Sequence, residues 1–157
     1  MSRWKRALER RLRPAIQTWA RLTRGTTLGV RAVVSDGDGR VLLVEHSYVP
    51  GWHLPGGGVD PGETAEAAVG RELAEEAGVR PAERPRLVSV HDNGRNFPGD
   101  HVLLYRVEHW TEVPADADGE ILRTGWFHPG ALPPDVTPAT RRRVQEVLFR
   151  AEVDERW

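Results

Sequence analysis

The stretch GGGVDPGETAEAAVGRELAEEAGV, residues 56–79, limits what this chain can fold into more than any other segment. Its first part is a loop: Gly56, Gly57 and Gly58 are followed by Asp60, Pro61 and Gly62, so residues 55–62 turn repeatedly and let the backbone approach a ligand closely. Its second part is a helix. TAEAAVGRELAEEA is rich in helix formers, Thr64 stands at the N-cap, and Gly78 sits where a left-handed C-terminal residue belongs. At about 100° per residue, Glu72, Glu75 and Glu76 share one face, beside an apolar face of Val69, Leu73 and Ala77. Like charges so placed repel one another, and a compensating cation is the natural explanation. Ala68, one turn before Glu72, leaves room for it.

The sequence contains no cysteine, which excludes disulfides, thiol catalysis and Cys-ligated zinc. Any metal must therefore sit on hard oxygen or imidazole ligands. Carboxylates suit Mg²⁺, with Mn²⁺ as the alternative, and Mg²⁺ is characteristically shared with substrate phosphates and water. The competing reading is an ordinary solvated helix face.

The rest of the chain reads as a single domain with an N-terminal appendage. Trp4, Leu8, Leu12, Ile16 and Trp19 form a stripe over residues 3–22, arginines occupy the other face, and Pro14 interrupts it. TLGVRAVVSD and RVLLVEH read as two strands joined in a hairpin at Gly37, Asp38 and Gly39; the DGDG there lacks the later ligands of a calcium loop. RLVSVHD, HVLLYRVEHW and EILRTGWF are further strands. Thr137 and Pro138 open a last helix running through Val144, Val147, Leu148 and Ala151. The division expected is an amphipathic basic helix over 1–24 and a catalytic domain over 25–157. No membrane-spanning run or leader pattern is seen, and the expected setting is cytoplasmic.

Gly57, five residues, Glu63, seven residues, Arg71-Glu72-Leu73, one residue, Glu75-Glu76, one residue, Gly78-Val79 is similar to the Nudix hydrolase signature at every fixed position. WHLPGGG and EILRTGWFHPGALP resemble the flanking segments of that family. The resemblance implies an α+β fold, an α/β/α sandwich around a mixed sheet, and Mg²⁺-dependent cleavage of the pyrophosphate bond in a nucleoside diphosphate linked to another moiety. Carried over by position, Glu72 and Glu76 are the principal metal ligands, with Glu75 a further ligand or base and the Gly56 carbonyl an additional ligand. Arg71 orients the glutamates, Glu63 supports the loop and helix start, and Gly57 and Gly58 approach the substrate. Some members take a base from a later loop. Glu120, in ADADGEI, is the candidate here, and a solvent-exposed loop charge is the competing reading.

Other candidates rest on residue type alone. Trp52 and Trp126 are suited to stacking on a base, although core packing is the safer assignment. Arg95, in DNGRNFPGD, is a phosphate contact or a surface residue. His91, His101 and His109 read as structural or surface histidines. ADP-ribose or another nucleotide sugar leads over a nucleoside triphosphate, although the proline that marks ADP-ribose enzymes has no clear equivalent and Pro98 only lies in its neighbourhood. A silent nucleotide-binding module is disfavoured by the intact glutamates. RNA ends are disfavoured by the sequence pI of about 6.6, so no nucleic-acid partner is expected. The N-terminal helix fits packing on the domain or homodimer formation better than a membrane surface.

Overall fold

The computed structural model describes residues 25–116 and 119–157. The helix expected over residues 3–22, and with it the choice among packing, dimerisation and membrane contact, lies outside them. In chain order the elements are β1 (Thr27–Val34), β2 (Val41–His46), β3 (Trp52–His53), α1 (Ala65–Ala77), β4 (Val79–Pro81), β5 (Arg86–Asp92), β6 (Asp100–Val107), β7 (Trp110–Glu112), β8 (Ile121–Phe127) and α2 (Pro138–Phe149).

Alternation along β1 sorts two cores. Val30, Ala32 and Val34 pack with Ala68, Val69 and Leu73 of α1 and with Tyr105 and Val107. Val33 turns the other way, to Leu43, Leu54, Leu104, Val144 and Val147 beneath α2. Helices therefore cover both sides of the strands, giving the sandwich. The mixed ladder is β1–β6–β5, with β1 parallel to β6 and β5 antiparallel to it. Two antiparallel ladders accompany it, β3–β2–β8 and β4–β7. HVLLYRVEHW is thus split between β6 and β7.

β1 and β2 do not form the expected hairpin ladder. The turn between them is real: the Asp36 carboxylate accepts the Asp38 and Arg40 amides at 3.0 and 2.8 Å, and Gly39 takes φ 73°. Beyond one bridge between Ser35 and Val41 the strands separate into different ladders. The free edge of β1 is occupied instead by the glycine loop, whose Gly57 and Pro55 carbonyls accept the Val30 and Ala32 amides at 2.8 and 3.0 Å.

α2 also ends earlier than expected, at Phe149, with Arg150 left-handed at φ 55°. The tail then returns to the mixed ladder, where the Asp92 amide donates to the Glu155 carbonyl (2.8 Å) and Trp157 donates to the Asp92 carbonyl (2.9 Å). Fully buried Arg143 secures this return, donating to Glu146 Oε1 at 2.6 Å and to the Arg156 carbonyl at 3.0 Å, with Trp157 lying against its guanidinium. His91, also buried, sits at the same junction with Ser89 Oγ 2.7 Å from its Nε2. Arg143→Ala leaves the buried Glu146 carboxylate without a cation and with only the Asp154 amide at 3.1 Å, so urea denaturation should show a loss of about 3–5 kcal/mol. Arg143→Met combined with Glu146→Leu should recover at least half of it. A single variant as stable as the parent would show that the ion pair contributes little.

Candidate active site

The glycine loop and α1 are held in register by contacts that only glycine permits. Gly56 has φ 138°, and a Cβ there would fall on the Val30 carbonyl oxygen. A Cβ on Gly57 would fall on the Glu72 carboxylate. The loop thus lies flat between β1 and α1, and its Gly56 amide donates to Glu76 Oε2 at 2.8 Å. Thr64 caps α1 by accepting the Ala67 amide at 3.1 Å, and Gly78 closes it at φ 65°, both as expected from sequence.

Arg71 is the hub of the charge cluster. Its Nε and Nη2 donate to the two oxygens of Glu63 at 2.9 and 3.0 Å, Nη2 also reaches the Gly58 carbonyl at 3.0 Å, and Nη1 reaches Glu72 at 2.8 Å and Glu75 at 3.3 Å. Hydrogen bonding to Arg71 holds the Glu63 carboxyl below its ordinary range, and the same contacts push the Arg71 guanidinium well above its own. One side chain therefore ties loop to helix.

The three helical glutamates do not converge equally. Glu72 and Glu76 point inward, their side chains 13 % and 11 % exposed, whereas Glu75 is 47 % exposed and leans on Arg71 one turn back. That splay reduces like-charge repulsion and gives Glu75 an i, i+4 partner. Burial raises Glu72, with Arg71 opposing it, and burial pushes Glu76 up to about 7, with Arg31 opposing and Glu120 adding to the rise. Glu120 is therefore close enough to Glu76 for like-charge coupling, and its backbone carbonyl accepts the Ser47 amide at 2.8 Å.

Hard oxygens are what this arrangement offers a cation. The Pro55 and Gly57 carbonyls are used by β1, while among the described residues none donates to the Gly56 carbonyl between them. No three Asp, Glu or His side chains among the described residues form a ready metal shell. The donors fit an ion held by Glu72, Glu76 and the Gly56 carbonyl and completed by water and substrate oxygens, as Mg²⁺ binds.

Other sequence candidates fall elsewhere. Trp52 is 7 % exposed, edge-on to Phe127 at 4.9 Å and packed with Leu54 and Val136, so it takes the core assignment and not the stacking one. Trp126 is only half-buried and stacks on Trp110 at 5.1 Å. Arg95 is exposed on the β5–β6 loop, and no contact among the described residues links it to the glutamates. A hollow of about 560 Å³ lies on the outer flank of α1 among Glu66, Gly70, Ala74 and Arg80; it borders Arg71 and Glu75 but not Glu72 or Glu76. Two residues beside them escaped the sequence reading: His46, whose Nδ1 is 3.7 Å from Glu76 Oε1 and whose pKa burial lowers to about 4, and Arg31. A charged residue inside the otherwise apolar GVRAVV run was the available signal for the second.

Comparison with known proteins identifies the family. The family model described as NUDIX domain matches residues 25–147. A protein of Bacillus subtilis (strain 168) named "Putative 8-oxo-dGTP diphosphatase" is 35% identical over 121 residues, 76% of this chain and 78% of that one. The crystal structure of a MutT NUDIX hydrolase from Burkholderia pseudomallei superposes with a TM-score of 0.67 at 33% identity, covering 78% of this chain and 98% of the other. An ADP-ribose pyrophosphatase from Streptococcus suis 89-1591 gives 0.60 at 26% identity, covering 81% and 94%. Several other curated relatives are more than twice as long as the part this chain spans.

The raised Glu76 pKa has a thermodynamic signature. In the metal-free protein the folded state keeps a proton that the unfolded chain releases, so this group's cost to stability is absent below its ordinary 4.5, grows between 4.5 and about 7, and is complete above that. Glu76→Gln should therefore stabilise the metal-free protein at about pH 8 by on the order of 1–3 kcal/mol and have no such effect near pH 4. Mg²⁺ should raise the melting temperature of the parent and not of the variant. Equal stability at both pH values would show that the carboxylate is not strained.

Proposed function

The chain belongs to the Nudix hydrolase family, and from that premise we propose that it is a Mg²⁺-dependent pyrophosphohydrolase acting on small nucleotides in the cytoplasm. The observation that carries the reading is Glu76: a buried carboxylate beside an open glycine loop, with an imidazole at 3.7 Å and a backbone amide at 2.8 Å as neighbours, where its charge is disfavoured until a cation arrives.

In this reading Glu72, Glu76 and the Gly56 carbonyl hold the ion, Mg²⁺ first and Mn²⁺ as the alternative. When bound, it neutralises phosphate oxygens and lowers the pKa of an attacking water. The protein's own residues do the rest. Arg71 fixes Glu72 and steadies Glu75 while holding the loop through Glu63 and the Gly58 carbonyl. Gly57 and Gly58 bring backbone within reach of the diphosphate. Glu120 removes the proton from water, and Glu75, the more exposed carboxylate, is a further ligand or an alternative base.

A nucleoside triphosphate is placed first as substrate, in line with the Bacillus subtilis relative's name. A linked diphosphate such as ADP-ribose is the second reading, carried by the Streptococcus suis neighbour. Phosphate release with Mg²⁺ separates them: triphosphates are read with added pyrophosphatase and linked diphosphates with added alkaline phosphatase. Turnover of linked diphosphates alone would reverse the order. No turnover across the panel by folded protein would leave a nucleotide-binding module.

Two variants test the roles. Glu76→Gln should keep its fold and lose about a hundredfold or more in kcat. Glu120→Gln should lose roughly 10²–10⁴-fold in kcat with little change in KM and abolish the acidic limb of the pH profile. A Glu120 variant with parental kcat and pH profile would return the base to Glu75.

A further inference from the structure

Arg31 stands in the middle of β1 on the strand face opposite Val30 and Ala32, the two residues whose amides fasten the Gly57 and Pro55 carbonyls. Its Cα is 3.0 Å from the point a Cβ on Gly56 would occupy, so its side chain leaves the backbone directly beside the loop. Nη1 is buried and makes no hydrogen bond, and among the described residues the guanidinium has no carboxylate within salt-bridge distance. The Gly56 beside it donates its amide to Glu76 Oε2 at 2.8 Å, which sets Arg31 at the edge of the candidate site. The His46 Nδ1 is a second buried nitrogen without a hydrogen bond among the described residues.

A guanidinium with a buried, unused donor is costly unless something completes it. The nearby carboxylates are engaged, Glu72 by Arg71 and Glu76 by the Gly56 amide. Neither His46 nor His53, neutral or protonated, supplies an anion. What is missing is an oxyanion from outside the chain. We propose that Arg31 binds substrate directly, donating from Nη1 to a non-bridging oxygen of the diphosphate on the side away from Glu72 and Glu76. This rests on the pyrophosphohydrolase reading and adds a specificity element to it: the substrate must present a phosphoryl oxygen that the metal does not occupy.

The test compares the parent with Arg31→Gln and Arg31→Lys in calorimetric binding of methylene-bridged, non-hydrolysable analogues of a nucleoside triphosphate and of ADP-ribose with Mg²⁺ present, alongside Mn²⁺ affinity, melting temperature and steady-state turnover. Arg31→Gln should weaken the better analogue by roughly 10- to 100-fold, the loss of one charge-assisted hydrogen bond, and raise KM more than it lowers kcat. Arg31→Lys should restore part of that affinity, and Mn²⁺ should bind all three proteins at least equally well. A residue that merely supports the wall would change the melting temperature and Mn²⁺ binding and gain nothing from lysine; that pattern overturns the proposal, as does unchanged analogue affinity in Arg31→Gln while the parent turns over normally. A parent that binds an analogue in an Arg31-dependent way yet hydrolyses nothing would sink the hydrolase reading and keep the anion contact. A parent that neither binds nor hydrolyses would overturn both.

Discussion

The clamping of residues 55–59 between β1 and α1 is the constraint on which the rest of the site depends. On one side the Pro55 and Gly57 carbonyls accept β1 amides, and the Val59 amide donates to the Leu28 carbonyl at 2.9 Å. On the other, the Gly56 amide meets Glu76. The loop behaves as an extra strand on the free edge of β1, which satisfies backbone groups that β2 would otherwise have to pair with. That substitution forces β1 and β2 apart into separate ladders. It also brings the helix that carries the carboxylates to a fixed distance from the strand that carries Arg31.

Electrostatics within the clamp are divided deliberately between two cations and four carboxylates. Arg71 is committed to Glu63, Glu72 and Glu75 through four hydrogen bonds and to the loop backbone through a fifth. Its energy is thereby invested in holding geometry. Glu76 is left with an amide and a distant neutral imidazole, and Arg31 with no partner at all on Nη1. Arg71 and its glutamates form a closed network, whereas Glu76 and the Arg31 Nη1 have no oppositely charged partner within hydrogen-bond reach among the described residues.

What the sequence made legible was local. The N-cap at Thr64, the left-handed Gly78 and the glutamate spacing depend on residues within one or two turns, and all appear as read. Readings that needed a distant partner fared differently. The β1–β2 hairpin was misread because its turn chemistry is correct while the competitor for pairing, the glycine loop, lies some way along the chain. α2 stops short of Ala151 because Arg143 recruits the tail to Asp92, a tertiary effect without local signal. Glu75 shares the helical face of Glu72 and Glu76 but not their burial, and Trp52 is claimed by Phe127 and the core under α2. Arg31 and His46 could not be aimed at the site until the strands bearing them had been placed.

The separation between local and distant contacts also sets an order of assembly. Arg71 reaches Glu63 across 8 residues and the Gly56 amide reaches Glu76 across 20, so loop and helix can associate early during synthesis. β1 waits for β6: the Thr27 hydroxyl pairs with Asp100 across 73 positions, and the parallel ladder continues to Val107. A nascent chain released only as far as Val79 contains the whole signature but has neither β6 to anchor β1 nor α2 to cover the second core. The site is therefore completed not by the helix that identifies it but by a strand that begins 73 positions after β1 does, and until that strand pairs, loop and helix have no anchored β1 to rest on.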